Sequence, residues 1–124
     1  MATVLVVDDS PTEQHVCRKI LERHGFEVES VEDGEHSLER ARELRPDVIL
    51  MDVVMPGMNG FQATRQLVRT PETSHIPVII ITTKDQETDR VWGMRQGARD
   101  YIVKPVREDA LVAAVKAVLE GQGT

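Results

Sequence analysis

Apolar residues along the chain follow two alternating rhythms. Short runs rich in β-branched residues occur at Thr3 to Val7, Phe26 to Val31, Asp47 to Met51, Val78 to Thr82 and Tyr101 to Val103, and runs of this kind read as strands. Between them lie longer stretches in which apolar residues recur at helical spacing. The first opens on Ser10, Pro11, Thr12 and Glu13, a capping box with proline at the first helical position. It continues through an apolar face of Val16, Cys17, Ile20 and Leu21 and closes at Gly25, where a left-handed residue is needed. The others run from Glu35 to Leu44, stopped by Pro46; from Phe61 to Val68, with Pro71 beyond; from Glu87 to Gln96; and from Glu108 to Leu119. Gly93 costs the fourth helix about 1 kcal/mol against alanine, with Val91 and Met94 as its inward stripe. Leu111, Ala114, Val115 and Val118 form the stripe of the fifth, and Gly121 to Thr124 read as a short frayed tail.

Strands alternating with crossover helices predict an α/β fold, a parallel sheet covered on both faces. The first, third and fourth strands are almost uniformly apolar, as central strands are. The second, Phe26-Glu27-Val28-Glu29-Ser30-Val31, alternates as an edge strand does. A doubly wound five-stranded sheet of order 2-1-3-4-5 with five helices satisfies both. Its ligand crevice lies at the carboxyl ends of strands 1 and 3, where the winding reverses.

Charge and size narrow the function. The 124 residues make one domain, and a net charge of −6, from 15 basic and 21 acidic side chains, argues against a surface built for nucleic-acid phosphates or anionic lipid. The single cysteine, Cys17, has no internal disulfide partner and reads as a small buried hydrophobe. No run approaches the roughly 20 apolar residues that span a bilayer, and Met1 to Asp8 lacks the features of a signal peptide. A cytoplasmic protein without membrane insertion is expected. The histidines at 15, 24, 36 and 75 show no metal spacing and are expected on the surface.

Three aspartates fall on the carboxyl edge: Asp8 and Asp9 after the first strand, and Asp52 after the third. Such a cluster repels itself and either takes up a proton or holds a hard cation, and magnesium suits an open site of this kind. Asp8-Asp9 can also be read as a solvated turn before the Ser10 cap. Thr82 adds a hydroxyl at the end of the fourth strand and Lys104 an ammonium after the fifth. Together these groups match a phosphoryl site in which a carboxylate attacks and cations stabilise the oxygens. Asp52, alone on its strand, is the nucleophile candidate. Trp92 is open to two readings, a partner anchor on an outward face or a cover for the helix edge.

At these residues the sequence resembles the receiver domain of bacterial two-component response regulators, in the single-domain form also seen in chemotaxis. The resemblance spans essentially the whole chain. It is carried by Val6-Val7-Asp8-Asp9-Ser10, Ile49-Leu50-Met51-Asp52, Met55-Pro56-Gly57-Met58-Asn59-Gly60, Ile80-Ile81-Thr82, Gly97-Ala98-Arg99-Asp100-Tyr101 and Lys104-Pro105. It implies a flavodoxin-like receiver fold over 1–124 with no output domain. Asp52 would be the phosphoacceptor, with magnesium held by Asp8, Asp9, Asp52 and the carbonyl of Val54. Lys104 would contact the phosphoryl oxygens across a cis bond to Pro105, and Thr82 and Tyr101 would form the switch pair, with Tyr101 rotating inward on phosphorylation. The implied partners are a sensor histidine kinase or its phosphotransfer domain and a downstream protein docking on the face of helix 4, strand 5 and helix 5. Thr83, Val54 and Lys84 depart from the commoner receiver pattern at places that tune access and attack by water.

Within the family, Gly60 to Leu67 and Thr82 to Gly93 look most like the regulators of type IV pilus twitching motility. Flagellar chemotaxis and a phosphate sink for a shared kinase are the alternatives. A magnesium-dependent phosphohydrolase with an aspartate nucleophile competes less well, because such enzymes carry a second acid where this chain has Val54. The chain is therefore expected to be a phosphoacceptor and not a turnover enzyme.

Overall fold

A computed structural model describes residues 2–122. Strands and helices alternate from end to end: β1 (Thr3–Val7), α1 (Pro11–Arg23), β2 (Glu27–Val31), α2 (Gly34–Leu44), β3 (Val48–Met51), α3 (Gly60–Arg69), β4 (Val78–Thr82), α4 (Glu87–Arg95), β5 (Asp100–Val103) and α5 (Glu108–Gln122). The strands form one sheet in the order β2-β1-β3-β4-β5, all parallel. Both the doubly wound topology and the edge position of β2 match the sequence pattern.

The two-residue period of a strand sorts the core into two faces. Val4 and Val6 of β1 join Val48, Leu50, Ile79 and Ile81 under α1 and α5, where Ile20, Leu21, Leu111 and Val115 close the packing. Leu5 and Val7 point the other way and join Ile49, Met51 and Val78 under α2 and α3, against Ala41, Ala63 and Leu67. A third, smaller cluster of Val53, Ile80, Ala98 and Tyr101, flanked by Phe61, lies under α4.

Three helix details differ from the sequence reading. Val16 is exposed, so the buried face of α1 is Cys17, Ile20 and Leu21. Val91 and Met94 are also exposed, and the inward position of α4 is Gly93. A Cβ there would sit 2.9 Å from Ile80 Cδ1 and 3.1 Å from the Tyr101 ring, so this glycine lets α4 close onto the sheet. The chain also stays helical through Gly121 and Gln122 where a frayed tail was expected; the rest of that tail, residues 123 and 124, lies outside the described residues.

Gly25 takes φ +88° directly after the α1 cap, as its place in the sequence required. Gly60, the first residue of α3, is constrained by space. Its N–H donates to the Val53 carbonyl at 2.9 Å, and a Cβ would stand 2.0 Å from the Asp52 carbonyl oxygen. Because that neighbour is backbone, Gly60→Ala is expected to cost at least the roughly 1–3 kcal/mol typical of overpacking. Gly121→Ala, with open space around it, should be neutral or stabilising; urea unfolding of the two variants checks the contrast.

Candidate functional site

Strand register builds the site. Val7 pairs with Met51, and the ladder continues one step further as the Asp52 N–H donates to the Val7 carbonyl at 2.9 Å. Asp8 and Asp52 therefore leave the sheet side by side. Asp8, Asp9 and Asp52 each offer a carboxylate oxygen, all within 4.8 Å of one another, with Asp8 and Asp52 buried and Asp9 exposed. Local donors orient them: Ser10 N–H to Asp8 Oδ1 at 2.9 Å, and Val53 N–H to Asp52 Oδ1 at 2.8 Å. The Gln14 amide donates to the Asp8 carbonyl at 2.6 Å and to the Val31 carbonyl at 3.4 Å, clamping the turn after β1 against β2.

Lys104 arrives from the far strand. Its N–H donates to the Thr82 carbonyl at 2.8 Å, which extends the β4–β5 ladder, and its bond to Pro105 is cis as expected. The ammonium reaches back to Asp8 Oδ2 at 2.9 Å, Asp52 Oδ2 at 3.5 Å and Glu13 Oε2 at 3.7 Å. Burial alone would push this ammonium down. The hydrogen bond to Asp8 and the charges of Asp52, Asp8 and Glu13 outweigh it and hold the group above its ordinary 10.5. Burial likewise pushes the Asp52 carboxyl above its ordinary 3.8; Lys104 and the Val53 N–H oppose the shift, and Asp8 adds to it. Beneath the site, burial and the Asp8 charge raise the Cys17 thiol to about 11, so it stays a neutral packing group.

Glu13 departs from the sequence reading. Ser10 accepts the Glu13 N–H at 3.3 Å, but the reciprocal half of the expected capping box does not form; the Glu13 carboxylate faces Lys104. Neither this role nor that of Gln14 was visible in the sequence. A helix-start motif explains Glu13 locally, and only the arrival of Lys104 from 91 residues away reveals its second use.

Thr82 is fully buried, and its hydroxyl accepts the Lys84 N–H at 3.3 Å. Tyr101 is 2% exposed and points inward. Its hydroxyl donates to the Lys84 carbonyl at 2.8 Å, so one residue, Lys84, engages both members of the expected switch pair. Trp92 stands 49% exposed on α4 and is not a core cover. With Val53, Val54, Met55, Asn59, Phe61 and Lys84 it lines a groove of about 410 Å³ beside the loop that follows Asp52. Val54 is itself 56% exposed.

A scan against family models matches residues 4–116 to the response regulator receiver domain. The chain belongs to the receiver domain family of two-component response regulators. It is 60% identical over 121 residues to protein PilH of Pseudomonas aeruginosa, covering 98% of this chain and 100% of that protein. It is 38% identical to the phosphate regulon regulator PhoB of Rhizobium meliloti over 94% of this chain and 51% of that one. Among solved structures, the Vibrio cholerae chemotaxis protein CheY4 superposes with a TM-score of 0.89 at 33% identity, covering 95% of this chain and 98% of that one. The receiver domain of the sensor histidine kinase PA1611 from P. aeruginosa, solved with magnesium in its active-site cleft, does so with a TM-score of 0.89 at 29% identity, covering 96% and 98%.

In this receiver the acidic cluster has the chemistry of a divalent-cation site: three converging carboxylates, two of them buried, approached among the described residues by a single ammonium that leaves negative charge in excess. Without a cation the fold disfavours the ionised form of Asp52. That penalty is absent below about pH 3.8, where the acid is protonated in folded and unfolded chains alike, and is complete once pH exceeds the raised folded value. Asp52→Asn should therefore raise the urea midpoint of the metal-free protein at pH 7. The gain should shrink toward zero as pH falls to 3.8.

Proposed function

We propose that Asp52 is the phosphoacceptor of this receiver, taking a phosphoryl group from a sensor histidine kinase or its phosphotransfer domain. The observation that carries the reading is the convergence on one point of Asp52, Asp8, Asp9 and Lys104 from three strand ends. The Asp52 carboxylate attacks phosphorus, the P–N bond to the donor imidazole breaks as the P–O bond forms, and the imidazole leaves with the electron pair. Magnesium, held by Asp8, Asp9, Asp52 and the carbonyl of Val54, supplies positive charge to the phosphoryl oxygens when bound. Lys104 supplies a second cation from the protein itself, and Asp8 keeps it aimed at the site.

Phosphorylation adds roughly −1.5 to −2 charge. On our reading the Thr82 hydroxyl turns to donate to one of the new oxygens and gives up the Lys84 N–H. The Lys84 carbonyl that holds Tyr101 then belongs to a loop with a different set of bonds, and the face of α4, β5 and α5 changes its affinity for a partner. The exposed Trp92, beside the groove that borders the Asp52 loop, supports a partner contact there. The protein works as a stoichiometric switch in the cytoplasm and not as a turnover enzyme.

The resemblance of Gly60 to Leu67 and of Thr82 to Gly93 to type IV pilus regulators, with the 60% identity to PilH, supports control of twitching motility. The structural likeness to CheY4 favours chemotaxis as the second reading. Incubation with magnesium and acetyl phosphate, followed by intact mass, should add a single phosphoryl group. Comparable labelling of Asp52→Asn would overturn the acceptor assignment. The exposed Val54 side chain has no polar atom with which to orient an attacking water, so Val54→Asn is expected to change the decay rate of the phosphoryl group severalfold. An unchanged rate removes Val54 from the hydrolytic path.

A further inference from the structure

The inward Tyr101 is held by more than its hydroxyl. Arg90 is exposed as a residue, yet its guanidinium carbon lies 5.3 Å from the centre of the Tyr101 ring. Its Nη2 also donates to the Tyr101 backbone carbonyl at 3.1 Å. Gly93, one turn later on the same helix, leaves the space that the ring fills. The carboxylate next to Arg90 in sequence is otherwise engaged: Asp89 caps the start of α4 by accepting the Gln86 N–H at 3.2 Å. One cation thus grips the ring and its own strand at once, with no involvement of Asp52.

We propose that Arg90 is a positioning residue for Tyr101, biasing the ring toward its inward pose before Asp52 is phosphorylated. This rests on the reading of Tyr101 as part of the switch and extends it: the resting state is set by α4, and phosphorylation acts on an equilibrium already tilted. A partner that recognises the inward pose therefore meets a larger basal population than it would without Arg90. A cation over an aromatic face at a partly exposed site shifts such an equilibrium roughly two- to fivefold.

The chain has a single tyrosine, so incorporating 3-fluorotyrosine gives a ¹⁹F resonance that needs no assignment. The resonance position, and its shift between H₂O and D₂O, report how far the ring is exposed. Wild type without phosphoryl mimic should show a protected ring. Arg90→Gln, chosen because its helix propensity is close to that of arginine, should move the inward-to-outward ratio roughly two- to fivefold toward exposure. Arg90→Lys, which keeps the charge, should lie between. Beryllium trifluoride with magnesium should bring all three proteins to a common protected endpoint.

A resting resonance in Arg90→Gln that coincides with wild type overturns the proposal, and so does an exposed ring in resting wild type. A merely structural role for Arg90 would lower the urea midpoint and leave the resonance in place, which also overturns it. If beryllium trifluoride leaves the exposed fraction of Arg90→Gln unchanged, the switch reading of Tyr101 fails, while the resting difference between the two proteins still decides the role of Arg90.

Discussion

Negative charge crowded at the end of a buried sheet is the constraint on which the rest of this molecule turns. Asp8 and Asp52 sit where β1 and β3 run out, both buried and beside Asp9, and the backbone of each is tied to a neighbouring strand, Asp8 N–H to the Val31 carbonyl and Asp52 N–H to the Val7 carbonyl. Lys104 is the fold's own answer to that crowding, with its ammonium between the two buried carboxylates. Removing Lys104 would leave both buried carboxylates uncompensated, a loss of the kind that costs about 3–5 kcal/mol. One lysine cannot balance three acids, however, and the remaining excess makes the site receptive to a divalent cation. The features that would make the site reactive are thus the same ones that keep it under electrostatic tension at rest.

That arrangement depends on two backbone facts more than on any side chain. The parallel register places residues distant in sequence at one height along the sheet: Asp52 bonds to Val7, and Lys104 bonds to Thr82. Gly60 lets α3 begin against the Asp52 carbonyl, where any side chain would collide with it. The loop between Asp52 and α3 is consequently drawn in close, and Val54 projects from it into solvent beside Trp92. Packing beneath the site is equally strict, since β1 sends Val4 and Val6 to one core and Leu5 and Val7 to the other.

How much of this was legible in the sequence depended on whether the cause was local. Strand and helix positions followed from periodicity, because the apolar pattern is written by the faces that each element buries, whereas the strand order rested on the crossover rules together with the family resemblance. Asp8, Asp9, Asp52, Thr82 and Lys104 could be assembled because each ends or follows a strand whose place in the sheet was already determined. Misread residues were those whose role is set by a distant neighbour. Gly93 looked like a weak point in a helix and is the contact that admits the Tyr101 ring. Val91 and Met94 had the spacing of a buried stripe, but α4 approaches the sheet along its glycine and leaves them exposed. Glu13 looked like half of a capping box until Lys104 was seen opposite it.

Tyr101 sharpens what the proposed switch has to accomplish. A ligand or modification moves an equilibrium only by the difference in its affinity for the two states, and Arg90 and the Lys84 carbonyl both hold the ring inward through contacts that do not involve Asp52. On our reading the phosphoryl group therefore adds to a bias that the fold itself supplies, and the surroundings of the ring share the signal with it. A second part of the molecule free to change is the segment around Lys84, which gives its N–H to Thr82 and its carbonyl to Tyr101. Drawing Thr82 toward a phosphoryl group breaks the first of those bonds and leaves the second, so the loop would pivot about the tyrosine hydroxyl. Lys84 also lines the groove shared by Val54 and Trp92. A pivot there would reshape the groove whenever the tyrosine is inward, so that ring and loop would act together on one face.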